Sequence, residues 1–404
     1  MAYDDEKHEQ VDFLMEGDIR DAIFGDLHGL VEVKIPDDKL SFKVDDVYMR
    51  LTDDKSLHCG TAWKGWPAHL SSEGTSEAML AKLMNDIGTF TASSQNVSTP
   101  RKWTSRFANK AVTDDRCERR QDVVLTDAFD TDTESSLDWS RIYAVVELQV
   151  TPSSKRDPIE RLAQYVPLIF DEQPDRRFVL GVTIIARQVK LVFFDRAGLF
   201  ISDSFDAHKQ PERLIRVVAM MYLDREFLGF DPTFEYTPVD GKASRTITVS
   251  GETYRVQNIL YTESVIHGRG AICLSVKPEN ENNNLVVKSS WVDVKRERRE
   301  PELLGGLKDV PGISKLRNTE TLSYRTRKDF DNLPNAKELW VNERERQSAR
   351  MDNREQVRVV LSPLGTSMMK MKSVRESLWA IIGIVEGMSM QPYNSATVAD
   401  CCNT

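Results

Sequence analysis

Four runs of apolar, largely β-branched residues fall within one stretch of the chain: "DVVLTD" (122–127), "IYAVVELQV" (142–150), "RRFVLGVTII" (176–185) and "VKLVFFD" (189–195). Their length and composition are those of strands. One helix separates the second from the third, because Ile159, Leu162, Ala163 and Val166 share a face. "PERLIRVVAMMYL" (211–223) opens on a proline, which the first turn of a helix tolerates, and reads as a second helix. Strand, strand, helix, strand, strand, helix is a mixed α/β order. Upstream, Leu80, Leu83, Met84 and Ile87 follow the i, i+3, i+4, i+7 spacing of another helix over 76–87. Residues 91–121 are polar and read as loop. The acidic opening "DDEKHEQ" reads as a solvated tail within an N-terminal extension over 1–74.

At 404 residues the chain is long enough for two domains. The composition changes to turn formers in "TPVDGKASRTITVS", so a linker is placed at 237–250 between a domain over 75–236 and a second over 251–387. The second holds strands in "YRVQNILYT", "AICLSV" and "NLVVKS", a charged helix over 293–304, then "VPGISKL" and "VRVVLSPLG" (357–365). "ENENNN" (279–284) suits a hairpin loop. A final helix over 373–387 opens with a capping box, Ser373 at the N-cap and Glu376 three residues on. The net charge of -9 argues against non-specific nucleic-acid binding, which needs basic faces. No apolar run reaches membrane-spanning length. Five cysteines without metal-type spacing suit reduced thiols in an intracellular protein that is not secreted.

Two constellations carry chemistry. Asp122 opens one strand, and Glu147 and Gln149 sit two apart on the next, so their side chains share a face. That pattern resembles the core of the PD-(D/E)xK nucleases. The resemblance implies that Asp122 and Glu147 are ligands of a divalent cation. The position of the nuclease lysine is Gln149, which is neutral and cannot supply that charge. The plain alternative is that Asp122 and Glu147 are polar residues at strand ends.

In the second half, Gly268-Arg269-Gly270 lies between two strands, Lys288 ends a Val-Val-Lys run, and glutamates follow on a helix. Taken alone, the glycines could form a tight turn and Lys288 could guard a strand edge. The ordered set "VIHGRGAICLSV", "NLVVKSSW", "EPELL", "GISKL" and "RVVLSPLG", with "QPDRRFVLGVTI", "VKLVFFDRAG" and "LGFDP" upstream, resembles the fungal-type protein kinase family over roughly 75–387. The resemblance implies ATP with Mg²⁺ as cofactor and proteins as substrates. It implies Gly268, Gly270 and Lys288 against the phosphates, with Glu302 orienting the lysine and Glu300 as second choice. The expected fold is therefore α+β: a nuclease-like α/β domain, then a kinase-like small lobe and the first helix of an incomplete large lobe.

No His-Arg-Asp or Asp-Phe-Gly occurs, so no residue is assigned a catalytic role and phosphoryl transfer by this chain alone is not expected. Asp329-Phe330-Asp331 precedes the hinge strand and is out of order for a metal aspartate. Residues 388–404 read as an aberrant tail of a truncated product. Helix 373–387 would then expose Leu378, Trp379, Ile381, Ile382 and Val385 to a partner. The alternatives are a divergent metal-dependent nuclease and a non-catalytic interaction module.

Overall fold

The computed structural model describes residues 19, 22–67, 75–95, 100–108, 120–128, 138–151, 157–239, 242–308, 310, 313–328, 330–331, 333, 352–365 and 371–389. The chain divides into two compact units. The first comprises Met1–Pro232, Glu263–Gly270 and Arg325–Arg354, and the second comprises Thr233–Thr262, Ala271–Tyr324 and Glu355–Thr404.

Along the first unit run β1 (Ile23–Leu27), α1 (Leu30–Lys34), α2 (Val44–Asp54), α3 (Thr75–Gln95), β2 (Arg101–Thr104), β3 (Val123–Asp127), β4 (Ala144–Gln149), α4 (Pro158–Glu172), β5 (Val179–Ile185), β6 (Gln188–Asp195), β7 (Gly198–Ser202), β8 (Phe205–Asp206) and α5 (Pro211–Val218). Among the described residues the strands form one sheet in the order β1-β7-β6-β5-β4-β3-β2, with β8 beside β6. The β4–β5 and β1–β7 pairs are parallel, and the β2–β3, β3–β4, β5–β6, β6–β7 and β6–β8 pairs are antiparallel. The continuous apolar runs are explained by burial on both faces. Along β6, Val189, Leu191 and Phe193 enter one apolar cluster, while Val192 and Phe194 enter another. Helix α4 supplies Leu162, Ala163, Val166 and Ile169 to the second cluster. It starts where Asp157 accepts from the Ile159 N–H at 2.9 Å, with Pro158 in its first turn.

Residues of the N-terminal extension contribute to this unit, and the acidic stretch 4–10 expected as a tail lies outside the described residues. β1 pairs in parallel with β7, and Leu30, Val31, Val47 and Leu51 are buried in the core. β2 lies in the stretch expected to be loop. At the entry to β7, Gly198 has φ +137°, and an added Cβ would lie 2.2 Å from the carbonyl oxygen of Ala22. That carbonyl accepts from the Leu199 N–H at 2.9 Å. Gly198→Ala is therefore expected to destabilise the protein by about 2 kcal/mol or more, read as a lowered urea midpoint. An unchanged midpoint would show that the backbone gives way without cost.

The second unit carries β9 (Phe234–Val239), β10 (Lys242–Val249), β11 (Glu252–Thr262), β12 (Ile272–Pro278), β13 (Leu285–Asp293), α6 (Glu300–Gly306), β14 (Lys315–Arg325), β15 (Arg354–Ser362) and α7 (Val374–Ser389). The sheet order is β14-β15-β13-β12-β11-β10-β9. The stretch 237–250, expected as a linker, carries the end of β9 and all of β10, paired antiparallel. Ile247 and Val249 alternate into the same apolar cluster as Leu274, Val276, Leu285 and Val287. The charged helix expected over 293–304 is shorter, because β13 runs on to Asp293 and α6 begins at Glu300. Residues 279–284 do join two strands, β12 and β13. At the head of α7 the Glu376 N–H donates to Ser373 Oγ at 3.2 Å, one half of the expected capping box, while Glu376 Oε2 accepts from the Lys372 N–H at 2.7 Å, one residue before the N-cap. Val374, Leu378, Trp379, Ile381 and Ile382 of that helix are exposed. The side chain of Val385 lies outside the described residues. Among the described residues no helix is long and apolar enough to cross a membrane.

Candidate functional site

In the first unit Asp122 and Glu147 converge, as the strand pattern predicts. Asp122 stands one residue before β3, where its Oδ2 accepts from the Leu148 N–H at 2.7 Å. Glu147 lies in the middle of β4 and is fully buried. The cation between them is Arg161, from the first turn of α4. Its Nε lies 2.8 Å from Glu147 Oε2, and its Nη2 lies 3.5 Å from Asp122 Oδ1. The closer approach is off the line of a good hydrogen bond, so neither Glu147 oxygen has a well-aligned donor. Tyr165, one turn along the same helix face, donates its hydroxyl to the Arg120 carbonyl at 2.9 Å.

Burial dominates the electrostatics. It pushes the Glu147 carboxyl well above the usual carboxylate range, and the neighbouring Asp122 adds to this while Arg161 opposes it. Asp122 is raised for the same first reason, again against the pull of Arg161. Burial works against charge on Arg161, but Glu147 and Asp122 outweigh it and hold the guanidinium above its ordinary value. Arg161 is thus shared by two carboxyls, and burial favours the proton on Glu147. Gln149 adds no charge, and among the described residues no group of three His, Cys, Asp or Glu side chains could hold a metal ion. As arranged, these residues do not fit a resident divalent cation, since Arg161 stands where its charge would be.

In the second unit Lys288 lies on β13, opposite Cys273 of β12. Leu285 and Val287 are buried in the core, so by strand alternation Lys288 belongs to the other face. Its Nζ donates to Glu300 Oε1 at 3.0 Å, with side-chain exposures of 12% and 29%. At that depth the pair keeps part of its Coulomb attraction while remaining within reach of solvent. Burial pushes the Cys273 thiol up, and Lys288 opposes that. Glu302, the expected partner, turns the other way: its Oε2 accepts from the Arg299 N–H at 3.3 Å and caps α6. The ion pair with Lys288 thus falls to Glu300. Gly268 and Gly270 lie in the turn 263–270, which is counted with the first unit. Both have positive φ, at +133° and +47°. Gly268 donates its N–H to the Arg196 carbonyl at 3.1 Å.

Arg161 and Arg196 were not candidates from sequence. Arg161 lies four residues before Tyr165, a helix-face spacing that could have flagged it. No comparable local signal marks Arg196.

A family model described as fungal protein kinase matches residues 120–390, from just before β3 to just past α7. No curated protein and no solved structure matches the chain.

Proposed function

The chain belongs to the fungal protein kinase family, and on that premise we propose that residues 251–387 form a kinase-type small lobe with the hinge and first large-lobe helices, and that the small lobe binds ATP with Mg²⁺. The observation that carries this is the 3.0 Å ion pair between Lys288 and Glu300. Kinases hold the α/β-phosphates with a strand lysine, kept in place by a glutamate of the helix that follows. Here the order is the same: β11, a turn with two glycines, β12, the lysine on β13, then α6 with its glutamate. Lys288 would place its ammonium on the phosphates, and Glu300 would fix its direction. Mg²⁺ would neutralise charge between the phosphates when bound. Proteins are the substrate class of the family. These 404 residues contain neither a His-Arg-Asp nor an Asp-Phe-Gly sequence, so the proposal for this chain stops at nucleotide binding.

Titration of the full chain with Mg-ATP by calorimetry tests it. Lys288→Met is expected to weaken binding about tenfold to a hundredfold, the loss of one charge-assisted hydrogen bond. Glu300→Gln should weaken it less, and Glu302→Gln should leave it unchanged apart from a small loss of helix stability. Equal affinity in wild type and Lys288→Met would sink the reading.

A second reading, a divergent metal-dependent nuclease over 75–236, is favoured by the meeting of Asp122 and Glu147 on neighbouring strands. The presence of Arg161 between them weighs against it.

A further inference from the structure

Helix α6 is held on its sheet by charge rather than by apolar burial. None of its seven residues, Glu300–Gly306, is buried. A helix of two turns does not persist alone in water, and most helices gain their place by packing an apolar face. Here two ion pairs stand at the helix start. Lys288 of β13 donates to Glu300 at 3.0 Å, and the preceding residue, Arg299 at the N-cap, pairs with Glu355 of β15. Arg299 Nη2 also donates to the Val294 carbonyl at 3.4 Å, just past the end of β13. All of these residues belong to the second unit.

The strands put both partners of α6 on one face. β13 and β15 are neighbours in the sheet, and Gln356 Nε2 donates to Ser289 Oγ at 2.9 Å. The residues that follow Glu355 and Lys288 therefore meet across the strand pair. Val287 and Val360 enter the same apolar cluster. Lys288 is one residue from Val287 and Glu355 is five from Val360, so alternation sends both to the opposite face. The Glu355 side chain is 4% exposed and that of Arg299 23%, against 29% for Glu300. A pair sunk this far is screened less by solvent and salt than one on the surface.

Lys288 cannot be the sole anchor of α6 if it also serves a phosphate. An anion at its ammonium competes with Glu300, and that pull on the helix weakens when the nucleotide arrives. The Arg299–Glu355 pair carries no such double duty. We propose that Arg299 and Glu355 are positioning residues of the nucleotide site: their ion pair pins the start of α6 to β15 and keeps Glu300 within reach of Lys288 while the lysine holds phosphate. The inference rests on the reading of Lys288 as the nucleotide lysine.

Arg299→Met is the direct probe, because α6 buries nothing that its loss would open. Glu355→Gln breaks the same pair from the other side and should give the same changes. Three quantities are measured on the full chain: the rate at which an amine-acylating reagent labels Lys288 without nucleotide, the affinity for Mg-ATP, and the urea midpoint, which checks that each variant is folded. Labelling is expected to rise about threefold in Arg299→Met and in Glu300→Gln, the size of one partly exposed ion pair. Affinity should fall by a similar factor in each, and no further in the double variant, because one residue acts through the other. Arg299→Lys keeps a charge for Glu355 and should return both quantities toward wild type, which a general loosening of the fold would not do. Unchanged Lys288 labelling in Arg299→Met would overturn the proposal, as would additive losses of affinity in the double variant. Equal affinity in wild type and Lys288→Met would overturn the lysine reading, and the nucleotide role of Arg299 and Glu355 with it, even where labelling follows the expected order.

Discussion

Arg161→Ala is expected to destabilise the first unit by about 3–5 kcal/mol at neutral pH, the cost of removing one partner from a buried ion pair. The size follows from where the carboxyls sit. Glu147 is fully buried, and burial already raises both it and Asp122 above the usual carboxylate range, with Arg161 as the main opposing charge. Without the guanidinium, Glu147 must either stay charged in a low-dielectric site or take up a proton, and each pKa unit of that shift is worth about 1.4 kcal/mol. The sign is fixed by linkage. A carboxyl with a raised folded-state pKa is favourable below its unfolded pKa, and that contribution is lost as pH rises through the folded pKa. Removing Arg161 lifts both folded values further and extends that window upward. The deficit of the variant should therefore be largest at pH 7, smaller at pH 5, and smallest below the ordinary carboxylate range. Urea unfolding across that range is the measurement, and an equal deficit at every pH would show that Arg161 acts through packing alone.

The same variant decides what the acid pair can hold. With Arg161 gone, millimolar Mn²⁺ should restore part of the lost stability if Asp122 and Glu147 can serve as ligands, and it should leave the wild type unchanged. No restoration would remove the nuclease reading's metal site. Loss of the effect in Arg161→Ala/Glu147→Gln would confirm which carboxyl is responsible.

What the sequence made legible follows from how local each signal is. The helix face of Leu80, Leu83, Met84 and Ile87 repeats within one segment, and α3 is found there, although it runs on to Gln95. The runs in β4, β5 and β6 are apolar because both sheet faces are covered, which makes them visible without knowing their partners. β1 was hidden for the opposite reason. Ile23–Leu27 is short, holds a glycine and an aspartate, and finds its parallel partner in β7, far along the chain. β2 has a single large apolar residue, Trp103, and sits in polar surroundings. β10 looked like linker because Lys242 to Thr246 hold no large apolar residue, and only Ile247 and Val249, separated by Thr248, enter the core.

The site residues divide in the same way. Asp122 and Glu147 were legible because one heads a strand run and the other sits within the next, two residues before Gln149. Arg161 was not, because a lone arginine on a helix resembles any solvated side chain until the strands it reaches are placed. The choice of Glu302 over Glu300 failed at the helix start. Pro301 belongs in a first turn, which makes Glu300 the first helical residue and puts Glu302 in the third position, where a glutamate caps the helix.

Phe330→Ala is the second substitution expected to have a large effect, a loss of about 3–5 kcal/mol. Phe330 stands in the Asp-Phe-Asp triplet that imitates a metal-binding motif, of which Asp329 lies outside the described residues. Its ring is fully buried, stacked on Phe200 with centroids 4.0 Å apart and edge-on to Phe193 at 5.6 Å. Lys34, itself buried, sets its ammonium 3.4 Å from the Phe193 centroid and 5.0 Å from that of Phe330. Truncation would open a cavity and also strip one aromatic face from a buried cation, so the cost should lie toward the upper end of the range. Phe330→Leu keeps most of the volume and loses the ring face, so it separates the two contributions: about 1–2 kcal/mol is expected for it. Leu333 packs in the same cluster, which makes Phe330 and Leu333 a two-point anchor for the chain segment that follows β14. Limited proteolysis should then cut near this segment sooner in Phe330→Ala than in wild type, at a denaturant concentration where both remain folded. A Phe330→Ala protein with unchanged stability and unchanged cleavage would mean that the triplet's aromatic is not an anchor. In that case the burial of Phe330 would have to be replaceable by collapse of Phe193, Phe200 and Lys34 into the space, which the contacts they already make with one another do not favour.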